Sequence, residues 1–84
     1  MSYRIFFLRR AQKELADLPD PIYGRIKQTA AELASDPWPR HSQKLRSREG
    51  LRIRVGSYRI IYKIDDTLRT VTILQIGHRS DVYR

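Results

Sequence analysis

The sequence lacks cysteine and has no apolar run long enough to cross a membrane. The absence of cysteine excludes a disulfide framework, a thiolate nucleophile and a cysteine-based zinc site. A membrane-spanning helix needs about 20 predominantly apolar residues, so we expect no membrane association. A chain without disulfides fits a reducing compartment, and we expect a cytoplasmic protein.

Histidine is also scarce, and the two that occur, His41 and His78, are far apart in the sequence. Zinc sites are usually visible as closely spaced ligands, and no such spacing occurs here. We therefore predict no metal and no cofactor. We interpret both histidines as surface residues that bind no metal.

Acidic residues are few, because nine Asp and Glu stand against 17 Lys and Arg, giving a net charge of +8. Residues 40–63 carry eight basic residues and one acidic residue, which is +7 of that total. The flanking segments contribute six basic against five acidic residues before this stretch, and three against three after it. A basic patch this concentrated predicts a polyanionic partner such as RNA, DNA or an acidic protein.

With 84 residues, the chain has room for one domain, residues 1–84. Residues 3–8 are rich in aromatic and β-branched side chains and predict a strand. Two helices follow, separated by Pro19-Asp20-Pro21, with Asp20 as the expected N-cap of the second helix. Their apolar positions have helical spacing: Ala11, Leu15 and Leu18 in the first, and Ile22, Ile26, Ala30 and Leu33 in the second.

The second half predicts three strands after a basic loop over residues 40–50. Residues 51–55 alternate between apolar and basic, Gly56-Ser57 suits a two-residue turn, and residues 58–64 form the return strand. Residues 70–76 are apolar on both faces and suit a central strand. The predicted fold is α+β: an N-terminal strand and a helical hairpin packed on one face of a predominantly antiparallel four-stranded sheet.

The turn at Gly56-Ser57 sets a hairpin register that can be tested. It places Val55 opposite Tyr58, Arg54 opposite Arg59, and Ile53 opposite Ile60, and paired residues point to the same face. Directly opposed like charges destabilise a sheet, so the arginine pair suggests that an anion normally lies between them. The apolar set faces the helices (Leu51, Ile53, Val55, Tyr58, Ile60, Tyr62), and the basic set faces away from them (Arg52, Arg54, Arg59, Lys63).

The hairpin, residues 51–64, and the segment Ile76-Gly77-His78-Arg79-Ser80-Asp81-Val82-Tyr83 together resemble the RelE/ParE superfamily of bacterial type II toxins. Weaker matches lie in the first helix, at Asp36-Pro37 and at Lys44-Leu45, so the resemblance covers essentially the whole chain. It implies a RelE-like fold and an mRNA interferase. Such a toxin is a ribosome-dependent endoribonuclease that cuts mRNA in the A site, inhibits translation and arrests growth.

The resemblance also implies partners and roles for individual residues. The partners are a cognate antitoxin, with which the toxin forms a hetero-oligomer, and mRNA on the ribosome with its rRNA. The catalytic set is Arg52, Arg54, Arg59, Arg79 and Tyr83. Apart from the resemblance, His78 is a possible proton-transfer group, because histidine titrates in the right range. Arg52 and Arg54 match positions that are lysines in the best-known RelE toxins. Sequence-independent contacts to RNA phosphates are expected from Arg40, Lys44, Arg46, Arg48 and Lys63.

The implied reaction is attack by an RNA 2′-hydroxyl on the adjacent phosphate, without a metal. Arginine suits the stabilisation of charge on the phosphoryl oxygens, but it is a poor general base because it stays protonated. The general acid and base therefore remain open. Two other functions also remain open: a ParE-type inhibitor of DNA gyrase, which shares the fold without being an enzyme, and a plain RNA-binding module.

Overall fold

The computed structural model describes residues 2–46 and 48–78. Within this part of the chain one strand is followed by two helices and then by four more strands, which is an α+β order. Neither helix reaches the length and apolarity that a bilayer-spanning helix needs. The elements are β1 (Arg4–Phe7), α1 (Arg9–Ala16), α2 (Ile22–Glu32), β2 (Gln43–Lys44), β3 (Leu51–Val55), β4 (Tyr58–Asp65) and β5 (Thr70–His78).

The five strands form one sheet in the order β1-β5-β4-β3-β2, so the N-terminal strand lies beside the last one. β1 runs parallel to β5, and the other neighbours are antiparallel. The predicted strand count of four is wrong by one, because Gln43 and Lys44 pair with Arg52 and Leu51. Two residues are too few to produce a visible alternation, which is why this segment reads as loop in the sequence.

Element boundaries differ from the prediction at two places. Asp20 does not cap α2: the helix begins at Ile22, no side chain caps it, and the Asp20–Pro21 peptide bond is cis. β5 continues beyond the predicted end at Ile76, because Gly77 and His78 pair with Arg59 and Tyr58. The longer β5 brings Ile76, Gly77 and His78, the first residues of the segment that carries the family resemblance, alongside β4.

The core lies between the two helices and one face of the sheet. Ile26 and Leu33 project from α2 and the residue that follows it, and Ala11 projects from α1; all three are buried. Fully burying an isoleucine or leucine side chain contributes about 1.5–3 kcal/mol. The sheet contributes Ile53, Val55, Ile60, Tyr62, Val71, Ile73 and Ile76, with Tyr3 packed at the margin.

The segment after α2 is held to the core by a buried hydrogen bond. The Tyr62 hydroxyl donates to the Pro37 carbonyl oxygen at 2.8 Å. Two residues further, the Pro39 carbonyl oxygen accepts from both the Ser42 amide (2.9 Å) and the Ser42 hydroxyl (2.7 Å). These bonds fix the turn that leads into β2.

The part of β5 that extends past β1 is covered by a side chain of α1. β1 pairs with β5 only as far as Phe7 opposite Ile73. Beyond that point the Ile76 amide donates to Oε1 of Glu14 at 2.8 Å. A carboxylate of α1 thus takes the place of a neighbouring strand. It accepts the hydrogen bond of a backbone amide that would otherwise need another acceptor.

We predict that Tyr62→Phe lowers the free energy of unfolding by about 1–3 kcal/mol, because it leaves the Pro37 carbonyl oxygen buried without its donor. Chemical denaturation followed by circular dichroism measures this. Tyr23→Phe is the matched control, since the contact of the Tyr23 ring with the Lys27 ammonium needs no hydroxyl. Equal stability of the two variants would contradict the prediction.

The same tyrosine predicts a response to alkaline pH. Burial, with the nearby Asp36 carboxylate, raises the pKa of Tyr62 above its ordinary value. Tyr62 therefore loses its proton at a lower pH in the unfolded chain than in the folded protein. Its contribution to the free energy of unfolding is fully present below about pH 10 and falls as the pH rises further. In parallel denaturation series, the decline should be steeper for the wild type than for Tyr62→Phe. Parallel declines would contradict the effect of burial.

Candidate active site on the arginine face

The hairpin register is the predicted one. Val55 lies opposite Tyr58, Arg54 opposite Arg59, and Ile53 opposite Ile60. The prediction of which residues share a face is therefore confirmed. We call the side of the sheet that faces away from the helices the arginine face; it carries Arg52, Arg54, Arg59 and Lys63.

The turn between β3 and β4 depends on Gly56. Its φ is +62°, in the left-handed region where residues with a Cβ are strained. A Cβ at this position would also lie 3.5 Å from Nη1 of Arg25, a residue of α2. The guanidinium of Arg25 therefore reaches the hairpin tip, where Arg54 and Gly56 line a cavity with it. The helical spacing of α2 did not predict that this helix would contribute a cation here.

Arg54 and Arg59 are directly paired across β3 and β4. On its other side Arg59 is paired with Gly77 of β5. Directly opposed residues have Cβ atoms about 5 Å apart. Arg54 is exposed, but Arg59 is only 6% exposed, and Ile61 and Gln75 on the same face are also buried. The arginine face is therefore only partly solvated. Arg54 is open to water, whereas Arg59 is largely removed from it.

Arg52 is oriented by the short strand β2. Its Nε donates to Oε1 of Gln43 at 3.1 Å, and its Nη2 donates to the same oxygen. The backbones of the two residues are also directly paired. β2 thus limits where the Arg52 guanidinium can point. The strand that the sequence did not predict therefore contributes to the site.

These residues surround one cavity of about 360 Å³, lined by His41, Gln43, Arg52, Arg54 and Arg59. The volume lies in the range of small-ligand sites, which is about 300–1,000 Å³. Among the described residues, no acidic side chain lines it. Three guanidiniums that stay charged at all ordinary pH values make it a site for an anion, and their planar forks suit phosphate oxygens.

The predicted RNA-contacting residues are spread along the loop and the sheet. Arg40, Lys44 and Arg46 are exposed. Arg48 is exposed but leans onto the arginine face, where its Nη2 donates to Oε1 of Gln75 at 3.3 Å. Lys63 is also exposed and lies on the arginine face, about 13 Å along β4 from Arg59, and it does not line the cavity.

His78 is separated from the arginine cavity. In register it lies opposite Tyr58, on the side of the sheet that faces the helices. Its ring contacts the Tyr58 ring edge-on, with centroids 5.4 Å apart. The other two predicted site residues at this end of the chain, Arg79 and Tyr83, lie outside the described residues.

His41 and Gln43 are the residues of the cavity that the sequence did not identify. The prediction took His41 for a surface residue, and it is exposed, but it lies at the rim of the arginine cavity. Only the pairing of β2 with β3 could have placed it there, and that pairing is not visible in the sequence. In the described part of the chain no three His, Asp or Glu side chains form a cluster suited to a metal ion.

The chain resembles known toxins over its whole length. Residues 5–83 match the family model described as the ParE toxin of the type II toxin-antitoxin system, parDE. Toxin RelG of Mycobacterium tuberculosis is 35% identical over 86 residues, which cover 100% of this chain and 99% of that protein.

Solved structures agree with the sequence relatives. The toxin–antitoxin complex RelBE2 of Mycobacterium tuberculosis contains a chain that superposes with a TM-score of 0.83 at 34% identity, covering 94% of this chain and 100% of that one. The isolated Escherichia coli RelE toxin gives a TM-score of 0.81 at 28% identity, covering 98% and 92%. With a family model over nearly all its residues, the chain belongs to the RelE/ParE superfamily of type II toxin–antitoxin toxins.

Proposed function

We propose that this toxin is a ribosome-dependent endoribonuclease that cuts mRNA in the ribosomal A site, in the cytoplasm. The observation that carries the proposal is the cavity that Arg52, Arg54 and Arg59 line together with His41 and Gln43. Two of these arginines oppose each other directly across the sheet. A phosphate held between them would contact both guanidiniums and offset their mutual repulsion.

The cavity suits phosphoryl transfer within the RNA strand. The 2′-oxygen of one nucleotide attacks the adjacent phosphorus, the bond from phosphorus to the 5′-oxygen breaks, and a 2′,3′-cyclic phosphate and a 5′-hydroxyl result. Negative charge builds up on the non-bridging oxygens in the transition state. Fixed guanidiniums stabilise that charge, and each such donor is worth about 10²–10³ in rate.

We further propose that the partner of the toxin is a cognate antitoxin and that the two form a hetero-oligomer. Related chains of 34% and 26% identity have been solved as toxin–antitoxin complexes, from Mycobacterium tuberculosis and Pyrococcus horikoshii. The charge of +8 suits an acidic partner that covers the basic loop and the arginine face.

A second candidate is the gyrase inhibition implied by a ParE-type toxin, since the matching family model is the one named for ParE. Primer extension on translated mRNA after induction separates the two. Cuts within codons that appear only when the mRNA is being translated support the endoribonuclease. Intact transcripts with DNA damage support the inhibitor and would refute our proposal.

We predict that Arg54→Ala reduces ribosome-dependent mRNA cleavage by about 10²–10³-fold and relieves growth arrest. Because Arg54 is exposed, the fold should survive the change, which circular dichroism can check.

Arg59→Lys tests the buried member of the pair. The variant keeps the positive charge but loses the planar fork, and it should also cut mRNA more slowly in the same assay. Arg79→Ala should abolish toxicity.

Arg9→Ala is the matched control. Arg9 is an exposed arginine at the start of α1, on the opposite side of the sheet from the cavity, and its loss lowers the net charge by the same amount. Cleavage by this variant should equal that of the wild type. If Arg9→Ala and Arg54→Ala lose activity equally, overall charge rather than the cavity would explain the effect.

The exposed loop predicts a salt-dependent affinity for the ribosome. Lys44 and Arg46 are exposed and should contact RNA phosphates without reading sequence. Replacing either by alanine should reduce the slope of log affinity against log salt concentration by about one, measured by filter binding to ribosomes. Lys13→Ala on α1 is the control, and an identical slope change there would argue against a role of the loop.

A further inference from the structure

The arginine cavity has a means to stabilise charge, but it also needs a group that moves a proton. Arginine stays protonated, so Arg52, Arg54 and Arg59 cannot accept a proton from the 2′-hydroxyl. The Gln43 amide is not a base either, and its oxygen already accepts from Arg52. The remaining described residue of the lining is His41, and imidazole is the side chain suited to proton transfer near neutral pH.

We propose that His41 is the general base of the RNA-cleaving reaction, taking the proton of the attacking 2′-hydroxyl at the rim of the arginine cavity. The inference deepens the proposed function and rests on it. As the 2′-oxygen bonds to phosphorus, its proton passes to the imidazole nitrogen. The bond to the 5′-oxygen breaks, the 5′-oxygen takes a proton from water, and the imidazolium returns its proton to solvent.

The position of His41 is built into the fold. The turn that carries it is closed by the two hydrogen bonds from Ser42 to the Pro39 carbonyl oxygen. Upstream, the buried Tyr62 hydroxyl holds the Pro37 carbonyl oxygen. Downstream, β2 pairs directly with β3, whose Arg52 and Arg54 line the same cavity. A histidine held on both sides of its turn can present one nitrogen to a bound phosphodiester.

His41 also lines a second cavity. Together with Glu32 and Asp36 it lines a smaller space of about 160 Å³. The residue therefore lies between the guanidiniums of the arginine cavity, where the phosphate would bind, and these two carboxylates.

The other candidates are placed less well. His78 lies opposite Tyr58 on the side of the sheet that faces the helices, where it cannot meet a phosphate held between Arg54 and Arg59. Tyr83, which the family resemblance nominates, lies outside the described residues and enters the test as a competitor. His78→Ala and Tyr83→Phe are therefore measured beside His41→Ala.

The test uses wild-type toxin, ribosomes and a short mRNA whose cut site has been mapped, in single-turnover cleavage at saturating toxin. His41→Ala should cut about 10²–10⁴-fold more slowly, while its affinity for the ribosome stays unchanged. Imidazole added to the solution should restore part of the rate in proportion to its concentration. A residue that only supports the loop would show no such rescue.

A second substrate separates the base from the acid. In this mRNA, sulfur replaces the bridging 5′-oxygen at the cut, and the sulfur leaves without needing a proton. His41→Ala should remain slow on it, because removal of the 2′-hydroxyl proton is still required. Full recovery on the sulfur substrate would make His41 the acid and overturn the assignment.

The inference and the proposed function fail in different ways. If the wild-type toxin leaves ribosome-bound mRNA intact, the proposed function fails and the role of His41 falls with it. If the wild type cuts and His41→Ala cuts equally fast, only the role of His41 is refuted. The same holds if His78→Ala or Tyr83→Phe shows the rescuable loss and His41→Ala does not.

Discussion

Five backbone pairings between β3 and β4, from Leu51 opposite Tyr62 to Val55 opposite Tyr58, hold the hairpin in a single register. Because side chains alternate between the two faces, a slip of one residue would turn every arginine towards the helices and every core residue outwards. The two-residue turn at Gly56, with its positive φ, sets this register. The core and the arginine cavity both depend on it.

That register places like charges together at a cost to the stability of the sheet. Arg54 and Arg59 repel each other across the pair, and Arg59 is also largely withdrawn from water. Under the proposed function, a bound phosphate would offset this repulsion, because both guanidiniums would contact one anion. The cations would then be in place before the substrate binds, as electrostatic catalysis requires.

The sequence was sufficient wherever a pattern repeats or a turn residue is diagnostic. Alternation over residues 51–55 and the glycine at Gly56 predicted the register and the shared face of the arginines, and helical spacing predicted α1 and α2. It was insufficient where two residues meet through tertiary pairing alone. β2 has no pattern of its own, so neither the Gln43–Arg52 contact nor the approach of His41 to the cavity could be anticipated. The burial of Arg59 was not predicted either, because alternation assigns a residue to a face of the sheet and does not say how deeply it is buried.

The Glu14 carboxylate on the Ile76 amide has a consequence for how the toxin behaves in a crowded cell. An open stretch of strand is a template for pairing with another chain, and natural proteins protect such stretches with charged side chains. Here α1 occupies the open stretch of β5 with a negative charge as well as an acceptor. A second molecule cannot extend the sheet there without first displacing Glu14, so growth of the sheet into aggregates is discouraged along this strand.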